Sequence, residues 1–182
     1  KKIYPTNNNP FFFFSPAPPP PPPPLPFSFL QGQALVTPRV TVLRGLEGEG
    51  YPFLCEPFQV DVVSCPAPVR PGLVHSADDG LLHMSPDGEL AMRTRVRAIL
   101  QAVQRHGSDG VVLSALGCGA FHNPPVDVAR IFAEELQRLP AACTLRTVAF
   151  AILDDHNAFC RCGHNMPDGN FQPFARQFRD DT

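Results

Sequence analysis

Between residues 90 and 106 the apolar positions recur at helical spacing: Val96, Ile99, Leu100 and Val103 fall at i, i+3, i+4 and i+7. Arg93, Arg97, Gln101 and Gln104 take the opposite face, and Gly107 supplies a stop. A second helix is expected after Asn123, the candidate N-cap, with Pro124 and Pro125 in its first turn, where a missing N–H costs least. Its core face is Val128, Ile131, Phe132, Leu136 and Leu139, and Pro140 ends it. Between and around these helices the pattern changes to strand. Val40 to Leu43 is a short β-branched run, and Val60 to Cys65 is another, closed by Pro66 and Pro68. Gly110 to Leu116 reads as a buried strand. Thr147 to Leu153, apolar on both faces, is expected to be covered on both sides. Residues 69 to 89 are rich in Gly, Pro, Asp and His and read as a long loop or helix approach. Strand, helix, strand, helix, strand predicts a parallel sheet in a layered α/β domain.

Composition changes this picture mainly at the N-terminus. Residues 1 to 33 hold almost half of the 23 prolines, the run Phe11 to Phe14 and an unbroken proline run from Pro18 to Pro24. Proline removes the backbone donor and fixes φ, so a disordered, polyproline II-like tail is expected there, apart from a domain at 34–182. Such a tail is also a candidate ligand for SH3 or WW modules. The chain begins with Lys1 rather than Met, which with the abrupt compositional change suggests truncation or mis-joining.

Charge narrows the function classes. The formal net charge is −2 and no Lys/Arg cluster is present, which argues against binding driven by nucleic-acid phosphates. No apolar run approaches the ~20 residues that span a bilayer. Six cysteines in a chain of 182 residues, two of them in apolar strand runs, fit free thiols in a reducing cytoplasmic or nuclear setting. Cys160, Cys162 and His164 invite a zinc reading, but no second ligand pair lies nearby, so no metal and no cofactor is expected. Asp78-Asp79 reads as solvated loop acids. His122 and His156 read as polar loop residues rather than catalysts, and Glu134-Glu135 as a solvated pair on the second helix.

The segment with the most chemistry is Gly110 to Asn123, GVVLSALGCGAFHN, in which a strand delivers a Gly-X-Gly turn to the start of a helix. Small residues there let the backbone approach a ligand, and the N–H groups of such a turn form an anion nest. Taken alone, the pattern serves equally well as a tight turn that needs positive φ.

That segment and the helix after it, GVVLSALGCGAFHNPPVDVARIFAEEL, resemble the phosphate-binding loop and following helix of microbial-type poly(ADP-ribose) glycohydrolases, a macrodomain family. TPRVTVLRG and FQVDVVSCPAP resemble the strands before that loop. RTVAFAILDDH and GNFQPFARQF resemble the last strand and the C-terminal tail, so the likeness runs over roughly residues 34 to 178. It implies a three-layer macrodomain-like mixed sheet with flanking helices, incomplete on its N-terminal side, that recognises ADP-ribose or ADP-ribosylated protein. Gly117, Cys118, Gly119 and Ala120 would then supply backbone donors to the diphosphate, and Phe121 a platform for the distal ribose. Asn123 and Asp154 would join the ligand-binding residues, with Asp154 to Asn157 lying toward the adenosine end. The family's triple-glycine and Gln-Glu-Glu segments, which carry its catalytic glutamate, have no counterpart in this sequence. The resemblance therefore implies binding without turnover. The alternatives are a hydrolase that uses another acid, or an interaction protein acting through its proline-rich tail.

Overall fold

The structure is a computed structural model, and it describes residues 32–161, 164–165 and 168–178. The tail expected at 1 to 31 lies outside them, as do the side chains of Cys160, Cys162 and His164. The chain is mixed α/β. Two long strands open it, β1 (Leu35–Arg44) and β2 (Phe53–Ser64), paired antiparallel as a hairpin around a short 3-10 turn, Glu47–Glu49. Pro38 sits in β1 at an irregularity between Thr37 and Val40, where Arg39 adopts φ 56° and gives its N–H to Asp61. A proline and a bulge suit an edge strand, so the free side of β1 is a blunted edge.

The expected long loop at 69 to 89 contains a small hairpin, β3 (Leu73–His75) with β4 (Leu82–Met84). Three-residue strands among turn-forming residues carry too little periodicity to announce themselves. Helix α1 (Pro86–His106) follows, with Ser85 as N-cap and Gly107 in the left-handed conformation as C-cap. All four apolar positions expected to face the core are buried.

Strand β5 (Gly110–Leu113) leads into the Gly-X-Gly turn and helix α2 (Pro125–Gln137). The N-cap is Pro124 rather than Asn123, whose amide is used elsewhere. Strand β6 (Thr147–Phe150) pairs with β5 in parallel, as the alternation of elements predicts. A short helix α3 (His156–Phe159), a two-residue ladder of β7 (Cys160–Arg161) with β8 (His164–Asn165), and α4 (Phe171–Phe178) complete the order.

The core lies between the helices and one face of the strands. Met92, Val96 and Leu100 of α1 meet Val128, Ile131 and Phe132 of α2, with Leu113, Val148 and Phe150 beneath. Phe132, Phe150, Phe174 and Phe178 form an aromatic chain, with Phe132 and Phe150 edge to face at 5.5 Å and Phe150 and Phe178 stacked at 4.6 Å. Such pairs add about 0.5–1.5 kcal/mol each beyond their buried area.

Two sequence expectations are corrected here. The β5–β6 pair is not covered on both faces: Val112 is 71 % exposed and Ala149 is exposed, because α1, α2 and α4 pack together on the other side. Glu135 is not a solvated helix residue. It is 4 % exposed, and Arg93, Arg97 and Arg138 all reach its carboxylate. Burial pushes that carboxyl up, but hydrogen bonds from Arg97 and Arg93 outweigh it and hold the pKa at about 2. Glu89 and Glu134 bind Arg93 and Arg130, so a ring of alternating charge ties α1 to α2.

Candidate functional site

The Gly-X-Gly turn is built by its neighbours. Gly117 has φ 69°, and a Cβ there would stand 2.4 Å from the Asn123 amide nitrogen and 2.6 Å from the Ala67 Cβ. Glycine is required twice over, for conformation and for space. Asn123 is fully buried, and its Nδ2 donates to the carbonyls of Gly117 at 2.9 Å and Pro68 at 2.8 Å. That amide pins the loop to the segment leaving β2. A second tie runs from the Arg70 N–H to the Phe121 carbonyl at 2.8 Å. Two strand ends distant in sequence are thereby locked around one turn.

Within the turn the amides divide into two groups. The Cys118 N–H donates to Ala115 and the His122 N–H to Gly119, and these bonds close the turn. The N–H groups of Gly119, Ala120 and Phe121 have no backbone acceptor among the described residues. They lie beyond the end of β5 and just before the start of α2, where oriented N–H groups and the helix dipole favour an anion. Cys118 is fully buried and joins the hydrophobic core, so its thiol serves packing. Phe121 is 41 % exposed, which leaves its ring open for stacking. His122 takes φ 59°, an uncommon conformation that turns the chain toward Asn123.

On the far side stands the segment after β6. A Cβ on Gly119 would lie 3.8 Å from the Asn157 Cβ, so the start of α3 borders the turn. Asp154 has a structural duty. Its Oδ1 accepts the N–H groups of Asn170 at 2.7 Å and Phe171 at 3.0 Å, which caps the start of α4. Asp155 accepts from the Asn157 backbone and side-chain amides, and the side-chain bond leads in lowering its pKa.

Sequence reasoning missed a polar cluster beneath α2. Asp127, 1 % exposed in the first turn of that helix, accepts the Met84 N–H at 2.7 Å and faces His83 Nδ1 at 2.7 Å. His83 Nε2 faces Asp79 at 2.9 Å. The bond to Asp127 leads in raising the His83 pKa, and the Leu81 amide leads His83 in holding Asp79 at about 2. The sequence signal was available only as a helix first-turn acid, a common capping feature. Asp79 is thus a partner of His83, and no group of three or more His, Cys, Asp or Glu that could hold a metal occurs among the described residues.

Comparison with other proteins places this arrangement. No family model matches the chain, and no curated protein sequence matches it. Solved structures do. The poly(ADP-ribose) glycohydrolase of Deinococcus radiodurans in complex with ADP-ribose is similar at 28 % identity and a TM-score of 0.59, over 79 % of this chain and 51 % of that one. Its apo form matches at a TM-score of 0.58. The enzyme of Thermomonospora curvata is similar at 30 % identity and a TM-score of 0.58, over 80 % of this chain and 47 % of that one. The chain spans about half the length of these relatives. No described helix is long and apolar enough to cross a membrane. The paired strands, the locked Gly-X-Gly turn and the helix behind it therefore form a microbial-type poly(ADP-ribose) glycohydrolase-like fold.

Proposed function

We propose that this protein binds ADP-ribose, free or attached to protein, through the turn at Gly117 to Phe121, and does so without hydrolysing it. The observation that carries the reading is the set of N–H groups on Gly119, Ala120 and Phe121, just before α2, that have no backbone acceptor among the described residues. Three donors fixed in place suit a diphosphate, since no ordering cost remains to be met on binding. The exposed Phe121 ring offers a face to a ribose, and Asn157 bounds the opposite wall. The relative from D. radiodurans, solved with ADP-ribose, supports the choice of ligand.

Lack of turnover rests on the carboxylates. Hydrolysis of a ribosyl bond needs an acid free to exchange a proton near neutral pH. Glu134 and Glu135 are engaged by arginines and held below the ordinary carboxylate range, which disqualifies them. The triple-glycine and Gln-Glu-Glu segments are missing from the sequence. Recruitment of an SH3 or WW module by the tail stays a separate proposal, tested by deleting residues 1–31.

Calorimetric titration with ADP-ribose tests the site, with Gly119→Glu as control. A Cβ at Gly119 meets only ordinary contact, and the glutamate sets a negative charge among the donors; circular dichroism checks that the variant is folded. Saturable binding by the parent, weakened at least roughly tenfold in the variant, is expected, since ~1.4 kcal/mol of repulsion is enough. A parent that is folded by circular dichroism yet gives no heat of binding would refute the reading.

A further inference from the structure

Both ring nitrogens of His83, on β4, end on carboxylates: Nδ1 lies 2.7 Å from Asp127 Oδ1 and Nε2 lies 2.9 Å from Asp79 Oδ2. An ionised carboxylate only accepts, so both nitrogens must donate, and only the imidazolium carries two N–H groups. A neutral ring keeps one of the bonds and turns a lone pair toward the other carboxylate. The two carboxylates are unequal. Asp127 is 1 % exposed, and its second oxygen accepts the Met84 N–H. Asp79 is 43 % exposed and also accepts the Leu81 N–H. Burial makes the Asp127 bond the costlier one to lose, so loss of the proton falls on the Asp79 bond. No cation touches the ring among the described residues. Helix α2 presents Asp127, with Arg130 3.5 Å from the same carboxylate oxygen, and the turn presents Asp79. Strand β3 sets the uncharged Val74 opposite, and Glu89 of α1 is engaged by Arg93 and Arg130. The bond to Asp127 leads in raising the pKa of the ring, burial opposes it, and the bond to Asp79 adds to the rise.

The hairpin that carries His83 continues directly from the segment that braces the Gly-X-Gly turn. In that segment the Pro68 carbonyl accepts from Asn123, the Arg70 N–H donates to the Phe121 carbonyl, and the Gly72 carbonyl accepts the Ser85 N–H. One end of the brace is therefore set by β2, and the other by the grip of the hairpin on the first turn of α2. We infer that His83 is a pH-sensitive latch: as the imidazolium it ties the β3–β4 hairpin to the head of α2, and on losing its proton it frees the turn at residues 76–81 and loosens the brace at residues 68–72. His83 thus positions the wall of the Gly-X-Gly turn through Arg70. The tie is complete below about pH 6.5, the ordinary histidine value, and fades as pH rises through the higher folded value. The latch goes beyond the ligand reading and stands without it.

The test follows amide exchange of the full chain by NMR from about pH 5.5 to about pH 9, without ADP-ribose, each rate divided by its intrinsic rate at that pH. Protection of the Leu81 amide should fall at least roughly tenfold, the worth of one charge-assisted bond, and that of Arg70 in step by roughly threefold. Both falls should share the midpoint of the His83 ring resonances, above pH 6.5. Asp79→Asn, at the exposed end of the latch, supplies an amide that donates to a neutral Nε2, so its protection should stay level across the range. His83→Gln should show the loosened state at every pH; Asp79→Asn decides the matter if that variant fails to fold. Protection in the parent that ignores the His83 titration overturns the inference, as does an equal fall in Asp79→Asn. A fall at Leu81 with Arg70 unmoved overturns the reach to the brace.

Discussion

The helical side of this molecule and its strand side obey different rules. Between α1, α2 and α4, large apolar side chains are closed off and the charges that cross from helix to helix are paired. Across the strands, Leu43, Phe53, Phe58 and Val112 are exposed, and each strand of the hairpin and of the parallel pair has one edge without a partner strand among the described residues. A completed layer holds itself together by burial and by matched charge. The strand side has the right local pairings and stops short of enclosing them. Stability therefore depends chiefly on the helical layer, while the Gly-X-Gly turn is tied to the segment leaving β2 and the strand side is where the chain is open to further contact.

The contrast can be broken most forcefully at matched phenylalanines. Phe132→Ala, at a position 1 % exposed, should cost about 3–5 kcal/mol in denaturant unfolding. Phe58→Ala, 53 % exposed on β2, should cost under about 1 kcal/mol. Equal losses would show that the hairpin is packed in solution and that the two sides do not differ.

Acid should strike the helical side next. Glu135 is depressed from 4.5 to about 2, so its contribution is complete above about pH 4.5 and is lost as pH falls toward 2. That shift corresponds to about 3 kcal/mol, and Glu135→Gln should remove that part of the dependence. Thermal melts of both proteins between pH 5 and 2 decide it; parallel curves would deny the ion-pair ring its role. His83 acts in the opposite sense, since its raised pKa gives stability that is full below about pH 6.5 and fades as pH rises through the folded value.

A more local change sharpens the comparison at the site. Gly117→Ala must adopt φ near 69° against the Asn123 amide, at a cost of about 1–3 kcal/mol. Because the strain falls on the turn, ADP-ribose affinity should drop further than stability does. A variant that binds normally would separate the turn from the ligand.

Much of this was legible in the sequence where one element suffices to reveal it. The faces of α1 and α2, the parallel pair and the Gly-X-Gly turn all follow from spacing within a single segment. What stayed hidden depends on partners far along the chain. Glu135 shows helical spacing typical of a solvated residue, and only Arg93 and Arg97, brought over from α1, bury it. Asn123 has the look of a cap, until the Pro68 carbonyl recruits its amide. The resemblance pointed to Asp154 only as a ligand residue, and gave no sign that its Oδ1 also caps the start of α4. The exposed face of β5–β6 was unreadable for a related reason: an apolar strand announces that it wants cover, not whether cover arrives.

Helix α4 gives one of these long-range ties a mechanical meaning. Its head is fastened by Asp154, and its tail rests through Phe178 on Phe150 of β6. It works as a clasp over the end of β6, with its anchor next to the residues that border the Gly-X-Gly turn. The core and the rim of the site thus share a fastening, and slack at either end of the clasp is transmitted to both.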